Sequence, residues 1–452
     1  MGFKQTAILA LFLAEFALGA SDSLVWGEFK PWLATDFGHI VTGENDGQEL
    51  EFQPLNRNTV VLGQSAVYEK WTFDAGFKAI IWWPFQAKAT QPHERTIRVE
   101  PRVSQVKAMR ALGEQAYVEF GFFPYKYNPD AQNLGEYLYR SGTYPGVIRT
   151  TDGLNLMNYA LYEAYGVHFR VNQLEGRIAH DFNVFSQPTS IPIGDLTPAY
   201  ELSVKTPLVE FGAGAAYNRL ITYNSKATRP KDVENGYFEV DTGGAAGPEF
   251  MGPYALAPDD PPGSATSIQG RIKRGDSSVT VLHYYTQKGV KLMARVALDL
   301  GGLLLPEHLR NPGDLRFFAE VALLGMENQP FYYEDQTERM PVMFGVNLPT
   351  CRLLDLLSVQ AEYYSSPFRN SYEFDYFARP VWTISQSFSP YHRDDWKWSV
   401  NARKKVNRLL TLQVQVANDY LRLPEFTLNT SSTPLTIMPE NWYYLLRLES
   451  RF

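Results

Sequence analysis

From residue 66 onward the chain alternates apolar and polar residues in segments about ten residues long. This period of two restricts the fold more than any other feature, because only a half-buried β-strand presents successive side chains to opposite environments. The clearest segment places Val290, Leu292, Ala294, Val296, Leu298 and Leu300 on one face. Lys291, Met293, Arg295, Ala297 and Asp299 fall on the other. Leu410, Leu412, Val414 and Val416 oppose Thr411, Gln413, Gln415 and Ala417 in the same way. A soluble sandwich also alternates, but its strands run nearer about five or six residues. A tilted strand that crosses a bilayer needs roughly 9–11.

The connectors point the same way. Thr206-Pro207, Gln173 to Glu175, Pro349 to Leu356 and Lys404 to Leu409 are short. Between the pairs they join lie long polar stretches at 124–157, 221–277, 326–340, 365–394 and 420–440. Short periplasmic turns at one end and long extracellular loops at the other are the layout of an outer-membrane barrel. With the C-terminus periplasmic, strands fall near 66–75, 96–105, 115–123, 161–171, 176–185, 198–205, 208–218, 290–300, 315–324, 342–349, 356–364, 396–403, 410–418 and 442–452. The expectation is therefore an all-β, antiparallel transmembrane barrel of about fourteen strands, with twelve or sixteen open. Ser278 to Tyr285 also alternates, either as the upper part of a bulged strand or as a hairpin of its own.

Composition narrows the class. Net charge is −7, so no basic excess is available to neutralise phosphates, and nucleic acid is not an expected partner. Mean hydropathy is −0.27, and past the N-terminus no run of about 18 apolar residues occurs, which excludes a helical polytopic membrane protein. The lone Cys351 forbids a disulfide framework and a multi-cysteine zinc site. At the N-terminus, Lys4 precedes an apolar stretch from Ala7 to Leu18, then Gly19 and Ala20, the pattern of a cleaved secretory signal peptide over 1–20. The expected organisation is that signal, a segment over 21–65, and a barrel over 66–452. The 21–65 segment is expected to be periplasmic, an inserted plug or an extra strand pair.

The chain ends Asn441-Trp-Tyr-Tyr-Leu-Leu-Arg-Leu-Glu-Ser-Arg-Phe452. Trp442, Tyr444, Leu446 and Leu448 alternate up to the terminal Phe452. This resembles the C-terminal strand of Gram-negative outer-membrane β-barrel proteins of the porin-like kind, although Ser450 departs from the usual apolar residue at its position. The resemblance implies that this strand is the signal recognised by the barrel assembly machinery, and that the protein resides in the outer membrane.

If the apolar face meets outer-membrane lipid, the polar face lines the lumen. Its basic candidates are Arg98, Arg102, Arg170, Arg177, Lys205, Lys291, Arg295, Arg316, Lys397, Arg403 and Arg447. Its acidic candidates are Glu100, Glu119, Asp181, Glu201, Glu210, Asp299, Glu320, Glu362 and Glu449, and His168 is the one histidine placed among them. The signs nearly balance. That fits a weakly selective pore for small hydrophilic solutes, or a closed lumen in which the charges pair. A closed barrel would be structural or adhesive. Its aromatic loops, with Trp82, Trp83, Tyr125, Tyr127, Tyr137, Tyr139 and Tyr144, could contact surface polysaccharide or simply hold the loops together. Neither a P-loop nor a metalloprotease or nucleophile-elbow motif occurs, so no catalytic residue, cofactor or metal is expected, and an outer-membrane enzyme is the third reading. Asp259-Asp260-Pro261-Pro262-Gly263 reads as a solvated turn.

Overall fold

The computed structural model describes residues 24–45, 48–54, 56–82, 98–139, 163–186, 196–218, 220, 267–274, 277–284, 289–326, 336–365, 395–418 and 440–452. The first strands are β1 (Leu24–Asn45), β2 (Gln48–Pro54), β3 (Arg57–Tyr68), β4 (Trp71–Trp82), β5 (Arg98–Ala111) and β6 (Ala116–Pro124). Then come β7 (Glu163–Gln173), β8 (Ile178–Ser186), β9 (Leu196–Lys205), β10 (Val209–Asn218), β11 (Ser267–Arg274), β12 (Ser277–Tyr284) and β13 (Gly289–Asp299). The last are β14 (Arg316–Leu323), β15 (Val342–Asn347), β16 (Leu356–Tyr363), β17 (Trp396–Lys405), β18 (Leu410–Asn418) and β19 (Trp442–Arg451). Each ring strand pairs antiparallel with its neighbours, and β19 returns to β1 in a register running from Trp32↔Arg451 to Thr42↔Trp442. Closure leaves no unpaired edge, which is what allows a sheet to stand in hydrocarbon.

The ring has sixteen strands, which corrects the expected fourteen. β2 is not one of them. It continues the line of β3 along β1, since Pro54 faces His39 and Arg57 faces Asp36. The hairpin β11–β12 stands outside the ring as a separate sheet, so the Ser278 segment is part of a hairpin of its own. The expected strand at 66–75 straddles a turn: β3 ends at Tyr68 and β4 begins at Trp71. Only Glu69, at φ 51°, marks that turn, and neither Gly, Pro nor Asn is present to announce it. The further strand is β1, so the chain from Leu24 to Tyr68 forms a strand pair of the wall. Its alternation was blurred because Thr35 and His39 share the outer face with Leu33 and Phe37, while Ile40, 0% exposed, sits on the inner face. The proposed signal segment lies outside the described residues.

Outer and inner faces separate as alternation requires. On β13, Val296 is 45% exposed and its neighbour Ala297 is 2% exposed. Leu292 and Leu298 share the outer row with Val296. Phe211, Phe317, Phe344, Val414 and Leu446 carry exposed apolar surface on other strands. An apolar exterior of this extent on a closed ring is lipid-facing. Both ends of the chain's described part lie at the short-turn end, where Leu24 pairs with Tyr68 and Phe452 N–H donates to the Pro31 carbonyl.

Candidate functional site: a loop docked inside the barrel

The connection after β6 turns into the ring. Its described part, residues 125–139, belongs to a stretch expected as a long extracellular loop, and it folds back into the ring. Tyr125, Tyr127, Tyr137 and Tyr139 are all buried, in one cluster with Leu134, Leu138 and the wall residues Phe123, Phe185, Met293, Phe318 and Met343. Tyr139 meets Tyr125 and Phe185 edge to face at ring separations of 5.7 and 5.2 Å, a geometry that aromatic quadrupoles favour, and Tyr125 lies tilted against Phe185 at 5.2 Å. Tyr144 and the side chains of Trp82 and Trp83 lie outside the described residues.

Small residues on the wall make room. Ala164, Ala199, Ala216, Ala297 and Ala322 belong to the same buried cluster. A Cβ at Gly214 would stand 3.0 Å from Leu138 Cδ2 and 3.1 Å from Met293 Cε. A run of Gly and Ala on the lumen face of β10 was therefore the sequence signal that another segment packs there. Its partner could not be read from the pattern, because the loop has no period.

Polar contacts fix the loop in place. Arg316 grips Asp130 bidentately, Nε to Oδ1 at 2.7 Å and Nη2 to Oδ2 at 2.9 Å. Glu320 accepts from the Tyr127 hydroxyl, from Asn128 Nδ2 at 2.5 Å and from Tyr137 N–H at 2.9 Å. Gly135 N–H donates to Glu362 at 3.2 Å, and Gln132 N–H to Gln360 at 3.3 Å. On the opposite flank Tyr125 donates to Glu201 at 2.5 Å, while Asn183 Nδ2 donates to the hydroxyls of Tyr125 and Tyr139 at 3.0 Å. The loop thus spans from β8–β9 to β14–β17. Within it, burial and then the neighbouring Glu320 carboxylate push Glu136 well above the ordinary carboxylate range. Burial lowers Lys126. Burial and the Glu320 charge raise Tyr127 well above its usual value, which keeps it a phenol donor.

Two charged arrays lie on the wall beside and opposite the loop. A ladder crosses β4 to β8: Asp74–Lys107 at 3.9 Å, Lys107–Glu119 at 2.9 Å, Glu119–His168 at 2.8 Å, His168–Asp181 at 2.7 Å and Asp181–Arg170 at 3.3 Å. His168 also lies against Tyr125, with ring centroids 5.0 Å apart, so the ladder supports the root of the loop. At the closing seam, Asp36 of β1 accepts from Arg57 Nε at 2.5 Å and from Arg447 Nε and Nη2 at 2.6 and 2.9 Å.

The lumen candidates distribute unevenly. Glu119, His168, Asp181, Glu210, Lys291, Arg295, Glu320, Glu362, Lys397 and Arg447 are buried inside the ring. Arg170 and Arg403 are half-buried there, and Arg316 and Asp299 stand near the short-turn end. Arg177 is an exposed turn residue. The side chains of Arg98 and Arg102, on β5, lie outside the described residues. Register sets Arg295 beside Glu320, yet Arg295 pairs with Glu210 at 2.8 Å, and Glu320 is taken by the loop. Sequence reasoning missed Asp130, Asn128 and Gln360, which hold the loop. Trp442, Tyr444, Leu446 and Leu448 lie on the outer face of β19, and Phe452 is 70% exposed. Among the described residues, no group of three or more His, Cys, Asp and Glu is placed to hold a metal ion. No described helix is long and apolar enough to cross a membrane.

A closed ring, apolar outside and charged inside, defines a transmembrane β-barrel of the outer-membrane type. No protein-family model matches the chain, and no curated protein matches it. Among solved structures, Salmonella typhi OmpF in complex with daunomycin aligns over 95% of this chain and 97% of its own, at 7% identity and a TM-score of 0.47. A mutant porin of Rh. blastica aligns over 95% and 100%, at 6% identity and a TM-score of 0.43.

Proposed function

We propose that the protein is a channel of a Gram-negative outer membrane that passes small hydrophilic solutes. The observation that carries this reading is the docked loop inside a charged lumen. Sixteen strands enclose more volume than wall side chains fill, and a loop tied to one arc of the wall narrows that space at a defined level. Charged groups of both signs at that level, Asp130, Arg316, Glu210 and Arg295 among them, give a polar path suited to hydrated solutes. The chemistry is passage, not catalysis. The N-terminal signal and the terminal strand fit export and recognition by the barrel assembly machinery.

A second reading, a structural barrel with a closed lumen, is favoured by one observation. Asp36, Lys78 and Arg447 are 0–1% exposed on strands that the described loop contacts do not reach. Conductance of the purified protein in planar bilayers separates the two. Stepwise current on insertion supports the channel. Stable insertion without current, with the folded state verified by heat-modifiable gel mobility, would overturn it in favour of the closed barrel.

A further inference from the structure

Three adjacent turns at the short-turn end are joined into one platform. The β13–β14 connection, residues 300–315, carries a helical turn α1 (Gly301–Leu304) and a 3-10 turn over Glu307–Leu309. Asn311 Nδ2 reaches the β15–β16 turn, donating to Thr350 Oγ1 at 2.7 Å and to the Leu354 carbonyl at 2.8 Å. Arg352 Nη2 returns a bond to the Glu307 carbonyl at 3.1 Å. Lys404, at the β17–β18 turn, donates to the Arg352 carbonyl at 2.9 Å, and Lys405 N–H donates to Asp355.

This platform is apolar and cationic at once. Leu303 and Leu304 are each 64% exposed, Leu353 77%, Val406 52% and Leu409 53%. Single exposed leucines are ordinary, but this many on three joined turns form a patch that needs a cover. Arg310, Arg352, Lys405 and Arg408 stand among them. Three of the platform's acids are taken up by its own backbone. Asp299 accepts from Gly301 N–H, Asp314 from Asn311 N–H and Asp355 from Lys405 N–H, which leaves Glu307 as the remaining carboxylate.

We propose that the platform seats the anionic headgroups of phospholipid in the leaflet that meets the turn end, with its leucines dipping into the acyl boundary. The inference rests on the transmembrane reading above. The cover is lipid because the outer rows of the barrel run straight into these turns. Leu298 precedes the first turn, Leu348 the second, and Leu410 follows the third, all on the lipid-facing side. Headgroups therefore already lie at this level. Leucines beside long-stemmed cations are the composition that interfacial segments use against anionic lipid.

The test uses the full chain reconstituted into nanodiscs of phosphatidylcholine alone or mixed with phosphatidylglycerol, followed by native mass spectrometry of the lipids retained after detergent release. Phosphatidylglycerol should be retained about tenfold over phosphatidylcholine, with the four surface cations each contributing about twofold, less than the roughly fivefold of a cation fully at the membrane surface. Arg310→Gln, Arg352→Gln, Lys405→Gln and Arg408→Gln together should abolish the preference. Lys70→Gln with Arg177→Gln, on other turns, should leave it. If the fourfold variant loses heat-modifiable folding, Arg310→Gln with Arg408→Gln is used, and a preference reduced about threefold is expected. Insertion with no phosphatidylglycerol preference, or a preference lost equally in the control pair, overturns the proposal while the barrel reading stands. Failure to enter nanodiscs overturns both. A dimer in lipid-free detergent that Leu303→Ser and Leu353→Ser dissolve would assign the patch to a second copy and overturn the lipid assignment.

Discussion

Removing the grip on Asp130 should release the loop without unfolding the barrel. The Arg316–Asp130 pair is bidentate, and the two side chains are 16% and 9% exposed, so water screens it weakly. Asp130→Asn keeps the shape and removes the charge. Losing a charge-assisted hydrogen-bonded contact of this kind costs about 1.5–3 kcal/mol. At about 1.4 kcal/mol per factor of ten, the undocked population rises roughly tenfold to a hundredfold. Arg316→Ala should cost more, about 3–5 kcal/mol, because it strands the Asp130 carboxylate. Glu210 keeps Arg295 at 2.8 Å, with Lys205 further off at 3.7 Å, but Asp130 keeps no ion pair among the described residues. The assay reads the loop directly. Ala131, 1% exposed, is replaced by Cys in a Cys351→Ser background, and labelling by a bulky maleimide is timed. Wild-type docking gives slow labelling, Asp130→Asn accelerates it at least about tenfold, and Arg316→Ala accelerates it further. The double variant should label little faster than Arg316→Ala alone, because the two residues act through one contact. Unchanged labelling in both single variants, or fully additive effects in the double, would refute the docking argument.

Glu136 makes docking pH-dependent. Its carboxyl is raised by burial and by Glu320, so its contribution is fully present below the ordinary carboxylate range and is lost as pH climbs through the raised value. Hydrogen exchange over 125–139, corrected for the intrinsic rate, should accelerate as pH rises well above the ordinary carboxylate range, and Glu136→Gln should flatten that dependence. A dependence unchanged in Glu136→Gln would sink this assignment. Gly214→Leu should displace the loop through Leu138, already 3.0 Å from where a Cβ would stand. Labelling of the Ala131→Cys probe should then rise while heat-modifiable mobility persists. Val296→Arg places a cation on the lipid face of β13 and should destabilise the barrel by about 2–4 kcal/mol near the bilayer centre. Equilibrium unfolding from lipid vesicles measures this, and a change below about 1 kcal/mol would contradict the facing.

What the sequence determined by itself is the wall. Alternation depends only on which residues face lipid, and a strand's pleat converts that directly into a pattern, as Leu292 to Leu298 display. The short-turn and long-loop ends follow from spacing alone. The tertiary structure decided three things that no local pattern encodes. Strand number depended on a turn without turn residues at Glu69–Lys70 and on β1, whose faces are mixed. Pairing of wall charges depended on reach rather than register. Arg295 passes over Glu320 to meet Glu210 because the loop has already occupied Glu320. The inward course of residues 125–139 depended on surfaces far apart in the chain, with Glu201, Arg316 and Glu362 assembled only when the ring closes. A loop without periodicity takes its conformation from such a cavity. Its tyrosines, equally suited to a membrane girdle or a packed core, gain an address only from the wall they meet.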